Sequence, residues 1–145
     1  MTVTLASLSQ QTGLTVLDHL EQSVNIPVVD GLQAQGDLIV IPIDVVASSV
    51  RALDPERWTD VPLEGVELLR GAAGGNPHTL VADPGTCRWT THVGDETWLA
   101  IGMFQTSAVA YLLHPEHGAT GCPPGTYVVR RQRENEGSRM RLVAD

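Results

Sequence analysis

The sequence predicts a mainly β, single-domain antiparallel sandwich or small barrel with a short N-terminal helix, and three observations carry that expectation. Runs rich in Val, Ile, Leu, Thr and aromatic residues recur at a spacing of about 8–12 residues from position 36 onward. Gly, Pro, Asp and Asn punctuate them, as at Gly74-Gly75-Asn76-Pro77 and Asp83-Pro84-Gly85. Helical periodicity is confined to the start, where Leu17, Leu20 and Val24 recur at three- and four-residue spacing.

The elements follow in order. Thr15 followed by Asp18 resembles an N-cap with an acid in the first turn, and Pro27 stops any helix before it. Gly13 separates this helix from Leu5 and Leu8, which read as an extra turn or an extended arm. Strands are expected over 37–43, 65–70, 78–83, 87–92, 97–104, 107–114, 126–133 and 139–143. Asp83-Pro84-Gly85-Thr86 and Asn135-Glu136-Gly137 are hairpin candidates, and 118–125 reads as a turn. The stretch 44–62 is either a short helix, with Val45, Val46, Ser49, Val50 and Leu53 on one side, or a long loop anchored by Trp58. Trp89 and Trp98 are expected in the core.

At 145 residues the chain fits one domain, with 1–35 as N-terminal helix or arm and 36–145 as β core. Hydrophobic residues make up 42% and charged ones 18%, a globular balance. No apolar run reaches the roughly 18 residues of a membrane helix. Met1-Thr2-Val3-Thr4 lacks a basic signal-peptide start. The expected location is therefore the cytoplasm, or a virion if the chain is phage-encoded. Cys87 and Cys122 are too few for a secreted disulfide scaffold and are expected as small buried hydrophobes.

Every basic residue is arginine and none is lysine, which excludes Schiff-base catalysis and a Walker-type phosphate loop. The net charge is −8, unevenly spread: residues 126–145 carry five arginines against three acids, and the rest carries four against fourteen. Such a body repels polyanions, so nucleic acid is not an expected partner.

One turn concentrates the chemistry. In His114-Pro115-Glu116-His117-Gly118, two imidazoles flank a carboxylate and can converge on a divalent metal. Cys122 follows on the same loop, and His78 opens an earlier strand. His78, His114, Glu116, His117 and Cys122 are thus the candidate ligands for zinc, or for another divalent transition metal with open positions. The plain alternative is a polar surface turn with no cofactor. The second motif is Pro123-Pro124-Gly125 leading into Tyr127–Arg133, where Tyr127, Arg130, Arg131 and Arg133 are candidate contacts for a partner or an anion. Cross-strand salt bridges to Glu64, Glu67 or the acidic body are its alternative. No Gly-x-Ser-x-Gly elbow supports nucleophilic catalysis.

The segment 114–134 resembles the C-terminal signature of small, functionally uncharacterised bacterial and phage β proteins. In these a His/Glu/His-Gly turn precedes Pro-x-Gly-x-Tyr and Arg-Gln-Arg-Glu. Gly36-Asp37-Leu38-Ile39-Val40-Ile41-Pro42 resembles their first strand, and 71–78 their Gly-x-x-x-Gly-His-x-His motif, with Asn76 replacing the first histidine. The resemblance covers 36–43, 65–83 and 114–134; it implies a fold and a site, and no particular activity. A histidine-bearing strand followed by a later histidine and a Pro-x-Gly turn also resembles cupins in architecture, although His-x-His is absent and the glutamate is displaced.

The expectation is a non-catalytic β domain acting through a protein partner or self-association, as an accessory, structural or regulatory component, in a phage-related setting. The alternative is a metal-binding, cupin-like enzyme or small-molecule sensor using His78, His114 and His117 with Glu116 or Cys122. A third is an RNA-contacting domain using Arg130, Arg131, Arg133, Arg139 and Arg141.

Overall fold

Thr4 caps the first helix: its hydroxyl accepts from Ser7 N while the Ser7 hydroxyl accepts from Thr4 N. That helix, α1 (Leu5–Thr12), closes at Gly13. In this computed structural model residues 3–14, 25–70, 77–136 and 139–142 are described. The expected helix at Leu17, Leu20 and Val24 lies outside them.

Beyond α1 the described residues form mainly strands and the turns that join them. The strands are β1 (Gln33–Gln35), β2 (Leu38–Pro42), β3 (Val50–Ala52), β4 (Thr59–Asp60), β5 (Val66–Arg70), β6 (Pro77–Val81) and β7 (Cys87–Thr90). They continue as β8 (Val93–Asp95), β9 (Ala100–Thr106), β10 (Ala110–His114), β11 (Gly118–Cys122), β12 (Gly125–Arg131), β13 (Arg133–Glu136) and β14 (Arg139–Leu142). A short helix α2 (Ile43–Val46) and a 3₁₀ turn (Pro55–Arg57) lie between β2 and β4.

Two antiparallel sheets form the body. One has the order β1-β2-β12-β9-β7-β4 and the other β11-β10-β6-β5; neither closes into a barrel. Alternation along each strand explains what lies between them. Leu38, Val40, Phe104, Tyr127 and Val129 from the first sheet meet Leu68, Leu80, Ala110 and Leu112 from the second in one buried cluster. Their neighbours of opposite parity point outward and are also covered. Leu5 and Leu8 of α1 pack on Val81 and Leu113. On the opposite side, Val50 packs on Met103 and Val128, with Val46 and Trp58 against them. The result is a sandwich with a covering layer on each outer face, and both faces of the central strands are apolar.

Several local expectations change. Residues 44–62 are neither one helix nor one loop but α2, β3, the 3₁₀ turn and β4. Trp58 is indeed an anchor, with the Arg88 guanidinium 5.8 Å above its ring. Asp83–Thr86 forms a tight turn, Thr86 N donating to Asp83 O at 3.2 Å. It joins β6 to β7, however, so it passes between sheets rather than closing a hairpin. The 118–125 stretch is largely strand β11, paired with β10 from Ala110–Cys122 to His114–Gly118.

Candidate functional site

At one end of the inter-sheet layer the hydrocarbon core gives way to a polar cluster. Inward parity on β6 runs His78, Leu80, Ala82, and on β10 it runs Ala110, Leu112, His114, so each histidine ends an apolar row. β6 and β10 pair with Leu113 opposite Thr79, and the next step of that register sets His114 beside His78. The β1–β2 turn reaches the same place, delivering Gln35 and Asp37. All four side chains are buried.

The hydrogen bonds fix the protons. Gln35 Nε2 donates to Leu112 O at 3.1 Å and lies 3.5 Å from Gly118 O. Both are carbonyls, so the amide nitrogen must be on that side. Gln35 Oε1 is then the atom 3.0 Å from His78 Nδ1, which must carry a hydrogen. The other ring nitrogen, Nε2, lies 2.9 Å from Asp37 Oδ1, and a proton must sit between these two as well. The pair is thus neutral as a unit, an imidazolium against a carboxylate sharing one proton. Burying either group alone would be far costlier.

His114 is fixed differently. Its Nδ1 accepts from Glu116 N at 3.0 Å and His117 N at 3.2 Å, so it keeps its lone pair and Nε2 carries the hydrogen. The histidine thereby caps its own turn. Three residues, Pro115 to His117, join β10 to β11, and Gly118 follows at φ 80, the left-handed position such loops require. The three rings form a column: His78 to His114 is 4.4 Å between centroids, and His114 to His117 is 4.3 Å. It runs from the fully buried His78 to the exposed His117 and Glu116.

The structure therefore gathers His78, His114 and His117, as the sequence suggests, but with ring faces rather than nitrogens convergent. His78 uses both ring nitrogens on protein atoms, and His114 uses Nδ1 on two amides. A ligating histidine ordinarily donates its second ring N–H to an acceptor; His114 does the reverse. Among the described residues no group of three or more His, Cys, Asp or Glu is arranged to hold a metal ion. Cys122 does not join the column. It lies four residues along β11 from Gly118, about 13 Å at ~3.3 Å per residue, and its sulfur accepts from Gln33 Nε2 at 3.4 Å. Burial pushes its thiol up to about 12. Cys87 is likewise pushed up to about 11 by burial, with an opposing hydrogen bond from Thr106.

The second candidate set divides. Tyr127 is buried rather than presented, stacked 5.0 Å from Phe104 with its hydroxyl donating to Pro123 O at 2.6 Å. Arg130 is spent on Asp95, donating from Nε at 3.1 Å and Nη2 at 3.0 Å. The salt-bridge alternative thus describes it, with Asp95 as the acid instead of Glu64 or Glu67. Arg131 is exposed. Arg133 begins β13, whose register sets Glu134 opposite Arg141 and Glu136 opposite Arg139.

Three features escaped sequence reasoning. Gln35 and Asp37 look like ordinary turn flanks; the only signal is the alternation Gln33-Ala34-Gln35, which puts two amides on one face. Asp95 looks like a solvated turn acid. Its carboxylate in fact accepts from Thr97 N at 2.9 Å, Thr97 Oγ1 at 2.8 Å and Ala100 N at 2.9 Å, besides Arg130. Burial works to raise its carboxyl, but the Thr97 donors and the Arg130 guanidinium outweigh it and hold it below the usual carboxylate range. Trp98, expected in the core, is 92% exposed and sits at φ 61.

Fold and site together define a small antiparallel β-sandwich with a buried polar latch at one end and a turn presenting one tryptophan. Residues 34–132 match a domain of unknown function, DUF8820, and the chain belongs to that family. The match runs from within β1 to just past β12 and so includes the whole latch. No curated protein and no solved structure matches the chain.

Proposed function

We propose that this chain is a non-catalytic β domain that acts by contact with a partner protein, as an accessory or regulatory component. The inner proton-carrying groups of the candidate site are held inside, with Asp37, His78 and His114 buried and bonded to one another or to backbone, and only Glu116 and His117 of the turn reach the surface. A general base must reach its substrate, and the inner three do not face solvent. The observation that carries the reading is Trp98, an almost fully exposed indole on a left-handed backbone. Both features are unfavourable in isolation, and a bound partner is what offsets them. The resemblance of 114–134 to small bacterial and phage proteins is what suggests a phage-related setting for that partner.

Light scattering on the chain purified from its native cells tests this. The expected result is a complex of fixed stoichiometry that Trp98→Ala dissociates; a strict 15.6 kDa monomer contradicts the reading. A metal-dependent enzyme or sensor is the second reading, favoured by the gathering of His78, His114 and His117. It requires the Asp37–His78 bond to open. Stoichiometric metal in the purified chain, lost in His117→Ala, supports it.

A further inference from the structure

We infer that the concavity beside Trp98 receives an arginine side chain of the partner, an inference that rests on the contact reading above. The concavity has a volume of about 430 Å³ and lies between the α2–β3 connection and the turn after β8, with Ser48, Ser49, Arg51, Asp95, Glu96 and Trp98 among its walls. Its shape is set by hydrogen bonds already described. Asp95 collects Thr97 and Ala100 from the turn, and Arg130 ties Asp95 to the sheet and also reaches Ser49 Oγ at 3.3 Å. Trp98 N donates to Asp95 O at 3.0 Å, which closes the turn whose indole is exposed. The backbone of the turn that carries Trp98 is thus clamped from beneath.

The acidity of the chain outside its last twenty residues and the exposed Glu96 favour a cationic guest. Outside the last twenty residues the chain carries fourteen acids against four arginines. Arg130 is consumed inside the clamp, and Glu96, exposed, follows Asp95 directly. An indole face beside a carboxylate favours a flat cation, and tryptophan is the best such face. The molecule already contains this arrangement in Trp58, covered by Arg88 at 5.8 Å. Trp98 offers the same face outward. Arg51 opposes a cation here, and that opposition gives the proposal a signed test.

The test uses the full chain and two capped peptides, acetyl-Gly-Arg-Gly-amide and its neutral citrulline counterpart, followed through the indole N–H resonances. Trp98→Phe assigns the Trp98 signal, and circular dichroism checks each variant's fold. The arginine peptide is expected to shift the Trp98 resonance alone, and more weakly as salt rises. Glu96→Gln is expected to weaken binding roughly two- to fivefold, and Arg51→Gln to strengthen it by a similar factor. Equal binding of the citrulline peptide, preference for a glutamate-containing peptide, or no shift of Trp98 overturns the proposal. If it fails while Trp98→Ala still dissociates the native complex, the guest's chemistry is wrong and the contact reading stands. If the native chain is also a monomer, the contact reading falls with it.

Discussion

Asp37 and His78 are buried where the apolar inter-sheet layer ends, and the bond between them is what makes each tolerable there. Removing one leaves a buried charge or an unsatisfied ring nitrogen. Asp37→Ala is therefore expected to cost about 3–5 kcal/mol in urea unfolding. Asp37→Asn should cost clearly less, because an amide N–H can face an unprotonated Nε2. Equal losses from the two variants would contradict the assigned proton positions. Asp95 provides a pH-dependent counterpart. Its folded pKa is depressed, so the stability it contributes is complete above the ordinary carboxylate value near ~4 and is lost as pH falls toward the folded value. Asp95→Asn should destabilise the protein at pH 7 and flatten the acid side of its stability profile. A parallel loss at pH 7 and pH 3 would refute this.

At the scale of elements, β7 and β9 approach so closely that only hydrogen fits between them. A Cβ added at Gly102 would lie 2.5 Å from both Thr90 O and the Trp89 ring. Gly102→Ala is expected to destabilise by about 2–3 kcal/mol in thermal or urea unfolding, as overpacking does; a neutral effect would mean that the strands can part. The same pair shows what a sequence makes legible. β7 and β9 announce themselves through β-branched and aromatic residues, as do β2, β6, β10 and β12. β1 does not, because Gln33 and Gln35 face inward and reverse the usual inside-out pattern. These amides cross to the other sheet, Gln33 to Gly121 O at 3.2 Å and Gln35 to Leu112 O. β11, Gly118–Cys122, is glycine-rich and reads as a turn. It becomes a strand because β10 supplies a template of backbone donors and acceptors, which leaves no trace in side-chain pattern.

At the scale of the molecule, burial in the inter-sheet layer predicts that the two thiols are inert. Cys87 and Cys122 lie in the inter-sheet cluster, with pKa values pushed up to about 11 and about 12. Thiolate is then on the order of one part in a thousand or less at pH 8. Alkylation should proceed only through global opening, at one rate for both residues that tracks unfolding free energy. Rapid labelling of either in the native protein would contradict the packing. The candidate site was legible as residue types and not as chemistry. His78, His114 and His117 stand out in the sequence, but their protons depend on Gln35, Asp37 and two backbone amides that only the folded register brings together.

The histidine column latches one end of the sandwich through the proton positions of His78 and His114. Ring nitrogen NMR of His78 and His114 at neutral pH, before and after equimolar zinc, tests it most directly. The prediction is a hydrogen on His78 Nδ1, a hydrogen on His114 Nε2 with a bare Nδ1, and no change on adding zinc. A deprotonated His78 Nδ1, or a metal-shifted nitrogen on either ring, would contradict it.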